Sequence, residues 1–322
     1  MKAFGYGRYG PPEVLRLEEV PQPVPSAEQI LIRIRAVSIN GTDQEGLIGK
    51  PLYARIGGAL RPGNPILGSD IAGVVVSAGA NHTEFKPGDE VFGEIPGYRG
   101  GFAEYVTTHG RTMAPRPAGL AVDEAAAIPQ GGVIAWNGIV KKGKVGEGQQ
   151  VLINGAGGSA GTFAVQLAKR AGAEVTGVDN AHKQDFMRSI GAEHTLDYAR
   201  QNFARAGNRY DLILDLIAHR SPFAIARVLK PGGTYLCVGG STGVLVQLLL
   251  FGPWIRRTRG VHVRLLMVPQ NRADLLAITE LCVNGEIRPV IDRRFPFEET
   301  VAAMRYVSDG LSRGKVVVTI KE

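Results

Sequence analysis

Residues 151–179 constrain this chain more than any other stretch. An apolar run, Val151, Leu152 and Ile153, enters the glycine loop Gly155-Ala156-Gly157-Gly158-Ser159-Ala160-Gly161, and a helical pattern follows at once over 162–171. A second strand pattern over 174–178 ends on Asp179, eighteen residues beyond the last glycine. Strand, glycine turn, helix and strand with a terminal acid is the arrangement that seats a dinucleotide pyrophosphate. Gly155, Gly158 and Gly161 permit a sharp turn, close approach of phosphates and tight helix packing. The N-terminus of the following helix presents unpaired N–H groups and a partial positive charge, and Ser159 and Ala160 of the loop are expected among the residues that hold the cofactor. The spacing is G-x-x-G-x-x-G, with Ala160 where the usual fingerprint has its third glycine, so the flanking elements carry the assignment.

The segments on either side differ in style. Up to about residue 124, short β-type runs at 30–37, 71–76, 90–92 and 102–106 are separated by Gly and Pro clusters such as Arg61-Pro62-Gly63-Asn64-Pro65 and Lys86-Pro87-Gly88-Asp89. That punctuation predicts a compact β barrel. From 125 to 267 helices alternate with strands at 151–154, 174–178, 194–196, 212–215, 234–238 and 261–267, the pattern of a doubly wound parallel sheet. Residues 268–322 return to the first style, with helices expected over 274–284 and 296–309 and a β-branched strand over 315–320 able to complete the barrel.

Composition narrows the class. A 44% hydrophobic and 21% charged chain of 322 residues suits a two-domain enzyme. The net charge of +7 is spread along the sequence apart from Arg256, Arg257, Arg259, His262 and Arg264, read as a solvated face, so nucleic acid is not an expected partner. Cys237 and Cys282 have neither pairing nor metal spacing, which fits buried thiols in a reducing compartment. The N-terminus enters a strand pattern directly, and a cytoplasmic location is the expectation. The apolar run 244–255 is too short to span a bilayer, which needs ~20 residues, so stable membrane insertion is not expected and a buried or interface segment is.

The combination of Pro11-Pro12-Glu13-Val14-Leu15, Val37-Ser38-Ile39-Asn40, Gly68-Ser69-Asp70-Ile71-Ala72-Gly73, Lys86-Pro87-Gly88-Asp89-Glu90-Val91, Gly101-Phe102-Ala103-Glu104-Tyr105, the glycine loop, Leu229-Lys230-Pro231-Gly232-Gly233 and Gly314-Lys315-Val316-Val317-Val318 resembles the medium-chain dehydrogenase/reductase superfamily, in its zinc-independent quinone oxidoreductase or zeta-crystallin-like branch. The resemblance covers nearly the whole chain. It implies an α/β protein with a GroES-like β-barrel catalytic domain over 1–124, completed by 268–322, and a Rossmann NAD(P)-binding domain over 125–267. It also implies hydride transfer from NAD(P)H to a quinone or α,β-unsaturated carbonyl. An enoyl-thioester reductase, an alcohol dehydrogenase or a non-catalytic RNA- or membrane-associated relative stand as alternatives.

In zinc-dependent relatives the metal ligands fall at places matching Asn40, Ser69 and Gln130, two amides and a hydroxyl that are poor zinc donors, so no metal is expected. Asn40 is the candidate hydrogen-bond donor to the substrate oxygen, Tyr53 the second donor, and Asp43 the residue that orients one of them. Val238, Gly239 and Gly240 are expected beside the nicotinamide, and Lys315 near the pyrophosphate. For the adenosine end the sequence is divided. Asp179 suits a ribose 2′-OH and hence NADH, whereas Lys183 and Tyr198 match positions that contact the 2′-phosphate of NADPH in this branch; the balance favours NADPH, with NADH possible. Relatives also pair the last Rossmann strand, here 261–267, with its own copy, which implies a homodimer.

Overall fold

Runs rich in Ile and Val, separated by Gly and Pro turns, form the two longest strands of the barrel, Ile30–Ser38 and Asp70–Ala78. The computed structural model describes residues 1–56, 58–205 and 207–321. It divides into one unit of Met1–Gln130, Gln270–Gly285 and Pro289–Glu322 and another of Gly131–Pro269 with Glu286–Arg288. The first unit begins with β1 (Lys2–Gly5) and β2 (Arg16–Glu19), an antiparallel pair, then β3 (Ile30–Ser38), β4 (Asp70–Ala78), β5 (Glu90–Glu94), β6 (Tyr105–Thr108) and β7 (Met113–Pro115). β3 pairs antiparallel with β4 and β6, β4 with β5, and β5 with β7. Ile32, Ile34, Ile71, Val75, Val91 and Phe102 form the centre of its core, each such side chain contributing roughly 1.5–3 kcal/mol on burial.

The second unit holds six parallel strands, β8 (Gln150–Asn154), β9 (Glu174–Asp179), β10 (His194–Asp197), β11 (Tyr210–Asp215), β12 (Leu229–Cys237) and β13 (His262–Leu265). Their spatial order is β10-β9-β8-β11-β12-β13, the dinucleotide-binding order 3-2-1-4-5-6 with its switch point between β8 and β11. The register sets Asn154 beside Asp215 and Asp215 beside Cys237, aligning the carboxyl ends where such sheets bind ligands.

The chain then returns to the first unit with β14 (Ile291–Pro296) and β15 (Lys315–Thr319). β15 pairs parallel to β14 and antiparallel to β3. Where a single helix is expected over 296–309, β14 extends to Pro296, a 3-10 turn covers Phe297–Glu299 and the helix occupies Thr300–Ser308. Residues 244–255 lie in the helix Thr242–Arg259. Val244, Leu248, Gly252 and Ile255 are buried on one face, while Val246, Leu249, Leu250, Phe251 and Trp254 remain exposed on the others. Among the described residues no helix is long and apolar enough to cross a membrane.

Candidate functional site

In the second unit the three fingerprint glycines do different work. Gly155 sits at φ +87°, where an L side chain is strained. A Cβ on Gly161 would meet the Gly155 carbonyl oxygen at 2.1 Å, so Gly161 lets the helix Ser159–Arg170 pack on the loop, and Ala160 needs no such freedom. Gly158 is the open position, since a Cβ there would meet only the Gly155 oxygen, at 3.4 Å. The first-turn N–H groups of that helix lack intrahelical acceptors, and the buried Ser159 Oγ has no hydrogen-bond partner. An open glycine, an orphaned hydroxyl and a helix N-terminus fit a phosphate-bearing dinucleotide.

Asp179, Lys183 and Tyr198 come together at the end of β9. Asp179 Oδ2 accepts from Gly157 N–H at 3.0 Å, and Oδ1 accepts from Asn180 N–H at 2.8 Å and lies 3.3 Å from Lys183 Nζ. The acid is therefore neutralised within the fold. Tyr198 N–H donates to the Asp179 carbonyl at 3.2 Å, while its side chain is exposed. Past β12, Gly239 and Gly240 adopt φ +68° and +117°, and a Cβ on Gly240 would strike the Ala218 carbonyl at 2.5 Å. Sequence reasoning missed the buried cluster beneath this edge. Asp215 accepts from Asn154 Nδ2 at 2.7 Å, Tyr235 Oη at 3.0 Å and Ile217 N–H at 3.1 Å, tying three strand ends together. An acid directly after the apolar run Leu212-Ile213-Leu214 of β11 is the signal for it.

In the first unit, β3 ends at Ser38 and Asn40 caps the helix Gly41–Ile48. Asp43 is fully buried and accepts from Asn40 N–H and Gly68 N–H, both at 2.8 Å. Both oxygens are thus spent on backbone, so Asp43 positions the Asn40 turn and has no free face for a reactant. Tyr53, half-buried, donates its hydroxyl to Glu45 at 3.3 Å; burial raises the Glu45 carboxyl above its usual range.

Asn40, Ser69 and Gln130 do converge, around a buried ion pair. Lys315 Nζ donates to Asn40 Oδ1 at 2.7 Å and to Asp70 Oδ2 at 3.1 Å, and the lysine is 0% exposed. Lys315, expected near the pyrophosphate, has its ammonium enclosed and held by Asp70 and Asn40. Gln130 N–H also donates to Asp70 Oδ2, at 3.0 Å, and Gln130 Nε2 to Glu94 Oε1 at 2.7 Å. The donors do not fit zinc: two amides and a hydroxyl are poor ligands, and the nearby carboxylate already holds a cation. Among the described residues no three His, Cys, Asp or Glu are grouped to hold a metal. Cys237 and Cys282 are buried free thiols, each pushed up to about 12 by burial.

The acids around Lys315 set a pH dependence. Burial pushes Glu94 up to about 8 from 4.5, the charge of Asp70 across the β4–β5 pair adding to it. Burial likewise pushes Asp43 up to about 7 from 3.8 against the pull of its two N–H bonds. The folded chain therefore keeps protons that the unfolded chain releases near pH 4, and their stabilisation is full below that pH and lost as pH rises through 7 and 8. We expect Tm to fall between about pH 4 and 8, the window between the unfolded and folded values of these acids, and to level off above it, and Glu94→Gln, which imitates the protonated acid, to flatten that fall. A Glu94→Gln profile identical to that of the parent contradicts a neutral Glu94.

A family model described as an alcohol dehydrogenase GroES-like domain matches residues 26–118, and one described as a zinc-binding dehydrogenase matches residues 190–318. The chain is 31% identical to the mitochondrial NAD(P)H oxidoreductase RTN4IP1 of Bos taurus, over 99% of this chain and 89% of that one. It is 30% identical to the 2-methylene-furan-3-one reductase of Solanum lycopersicum, over 99% and 79%. The quinone oxidoreductase of Coxiella burnetii superposes with a TM-score of 0.89 at 27% identity, covering 100% of this chain and 99% of that one. The chain belongs to the medium-chain dehydrogenase/reductase superfamily, in the branch of the NAD(P)H and quinone oxidoreductases.

Proposed function

We propose that the chain reduces α,β-unsaturated carbonyls or quinones with NADPH, and does so without a metal ion. The observation that carries this reading is the buried Lys315–Asp70 pair among Asn40, Ser69 and Gln130, which leaves an amide donor where a metal would polarise a carbonyl. NADPH, when bound, supplies the hydride. A conjugated acceptor spreads the incoming negative charge onto its oxygen, so the barrel unit need only offer a placed hydrogen-bond donor. Asn40 Nδ2 is that donor, and the Tyr53 phenol is second, able to give a hydrogen bond or a proton by exchanging its long contact with Glu45 for one to the substrate. The Rossmann unit holds the pyrophosphate at Gly158, Ser159, Ala160 and Gly161, while Val238, Gly239 and Gly240 leave room for the nicotinamide. The relative acting on a methylene-furanone supports conjugated acceptors over alcohols. Oxidation of NADPH in the presence of 1,2-naphthoquinone or a simple enone, by chelated protein, is the direct test.

The Asp179–Lys183 pair supports NADPH over NADH, because the acid that would repel a 2′-phosphate is already compensated. Lys183→Ala removes the cation and uncovers the acid together, and shifts the kcat/KM ratio toward NADH by roughly tenfold, about 1–2 kcal/mol for charge-assisted contacts. Asp179→Ser shifts it toward NADPH by less. If neither ratio moves, the adenosine end binds elsewhere.

We also propose a homodimer through β13, which ends the six-stranded sheet. An unpaired edge strand invites association, and a two-fold copy closes it. The exposed Leu249, Leu250 and Trp254 of the neighbouring helix add apolar area at or near the contact. Val263→Pro should give monomers in light scattering; an intact dimer rejects this interface. The free buried thiols support a reducing compartment, and we assign the cytoplasm.

A further inference from the structure

We propose that Lys315 is the positioning residue for the Asn40 amide, holding its carbonyl so that its NH2 faces away from the lysine as a donor, and polarising it; this rests on Asn40 as the substrate's hydrogen-bond donor. The backbone brings the two together across 275 positions. β15 pairs antiparallel with the end of β3, Val317 opposite Ser38, and Ile39 N–H donates to the Val316 carbonyl at 2.9 Å. The lysine side chain is thereby delivered beside Asn40.

The orientation follows from donor chemistry. An ammonium has three donors and no acceptor, so the amide atom facing it at 2.7 Å must be the carbonyl oxygen. Asn40 Nδ2 is then forced to the other side, where its contact is Ser69 Oγ at a long 3.4 Å. A bond of that length leaves the amide N–H groups free to serve a stronger acceptor. Asp70, itself fully buried and fixed by Gln130 N–H, prevents the ammonium from turning away. A cation on the carbonyl side also draws electron density from the amide and strengthens its N–H as a donor when charge builds on a substrate oxygen. Stability is a weak reason to keep such a pair, because well-packed apolar replacements of buried ion pairs are often neutral or stabilising.

Lys315→Met alone leaves Asp70 buried without its counter-charge and endangers folding, so the test uses the neutral pair Asp70→Asn/Lys315→Met, Asn40→Ala, and the three changes combined. Steady-state kinetics with 1,2-naphthoquinone and an enone are measured beside the Kd for NADPH and the Tm. The neutral pair is expected to lower kcat by about 10- to 100-fold, the range for losing an orienting partner, with the Kd for NADPH unchanged. The three changes combined should be little worse than Asn40→Ala alone, because the pair acts only through that amide. Full kcat in the neutral pair while Asn40→Ala is impaired overturns the inference alone and leaves Asn40 as donor. Strictly additive losses overturn it as well, since the lysine then acts independently of Asn40. A weakened Kd for NADPH with kcat retained places Lys315 at the pyrophosphate and also overturns it. If Asn40→Ala itself turns over normally, the donor reading fails and the inference falls with it.

Discussion

Replacing Gly158 by valine will cost the chain its dinucleotide while leaving its fold in place. The backbone at Gly158, φ −93° and ψ −175°, is extended and open to any residue. A Cβ there meets nothing closer than 3.4 Å, so the side chain projects into space that the loop leaves empty. That space is where the proposed binding mode brings the phosphates to the N–H groups of the helix Ser159–Arg170. Losing two charge-assisted bonds of about 1.5 kcal/mol or more each weakens binding roughly 100-fold. The structural penalty is that of a poorer helix cap, about 1 kcal/mol. Gly161→Val is the contrasting control: its Cβ meets the Gly155 oxygen at 2.1 Å and Ala156 backbone atoms at 2.7 Å, so it should fail in Tm before it fails in binding. Titration calorimetry with NADPH alongside thermal melts separates the two. Undiminished affinity in Gly158→Val would remove the pyrophosphate from this loop.

Asn40→Ala is expected to lower kcat by about 100- to 1000-fold, the cost of deleting one placed donor to a developing oxyanion. The Kd for NADPH should not change, because the amide belongs to the barrel unit and makes its bonds to Lys315 and Ser69. Asn40→Asp is the sharper variant: it keeps the size and the contact with the lysine but replaces the donor by a second acceptor. It should be as inactive as the alanine variant toward enones. Wild-type kcat in Asn40→Asp would show that no donor is needed at this position.

The glycine loop was legible because its chemistry is local. Gly155, Gly158 and Gly161 lie within seven residues, and each need, a positive φ, an open face or a backbone contact, is met by the absence of a side chain. The alternation that marks β8 to β13 was equally local. The Lys315 placement was not, because its meaning depends on β15 pairing with β3 from the far end of the chain, and an isolated lysine opening a strand carries no mark of its partner. Asp43 could be read only as orienting Asn40 or Tyr53 for the same reason: nothing in the sequence announces that the Gly68 N–H will take one of its oxygens. Helix ends near 296 were misread because Pro296 closes a strand as readily as it opens a helix.

Turnover by chelated protein of known metal content tests the central claim most directly. Protein dialysed against a strong zinc chelator should carry far less than stoichiometric zinc. It should oxidise NADPH with 1,2-naphthoquinone and with an enone at the rate of the untreated protein, as the proposed metal-independent use of Asn40 requires. Stoichiometric zinc whose removal abolishes turnover, or no NADPH oxidation with either acceptor, would contradict the account.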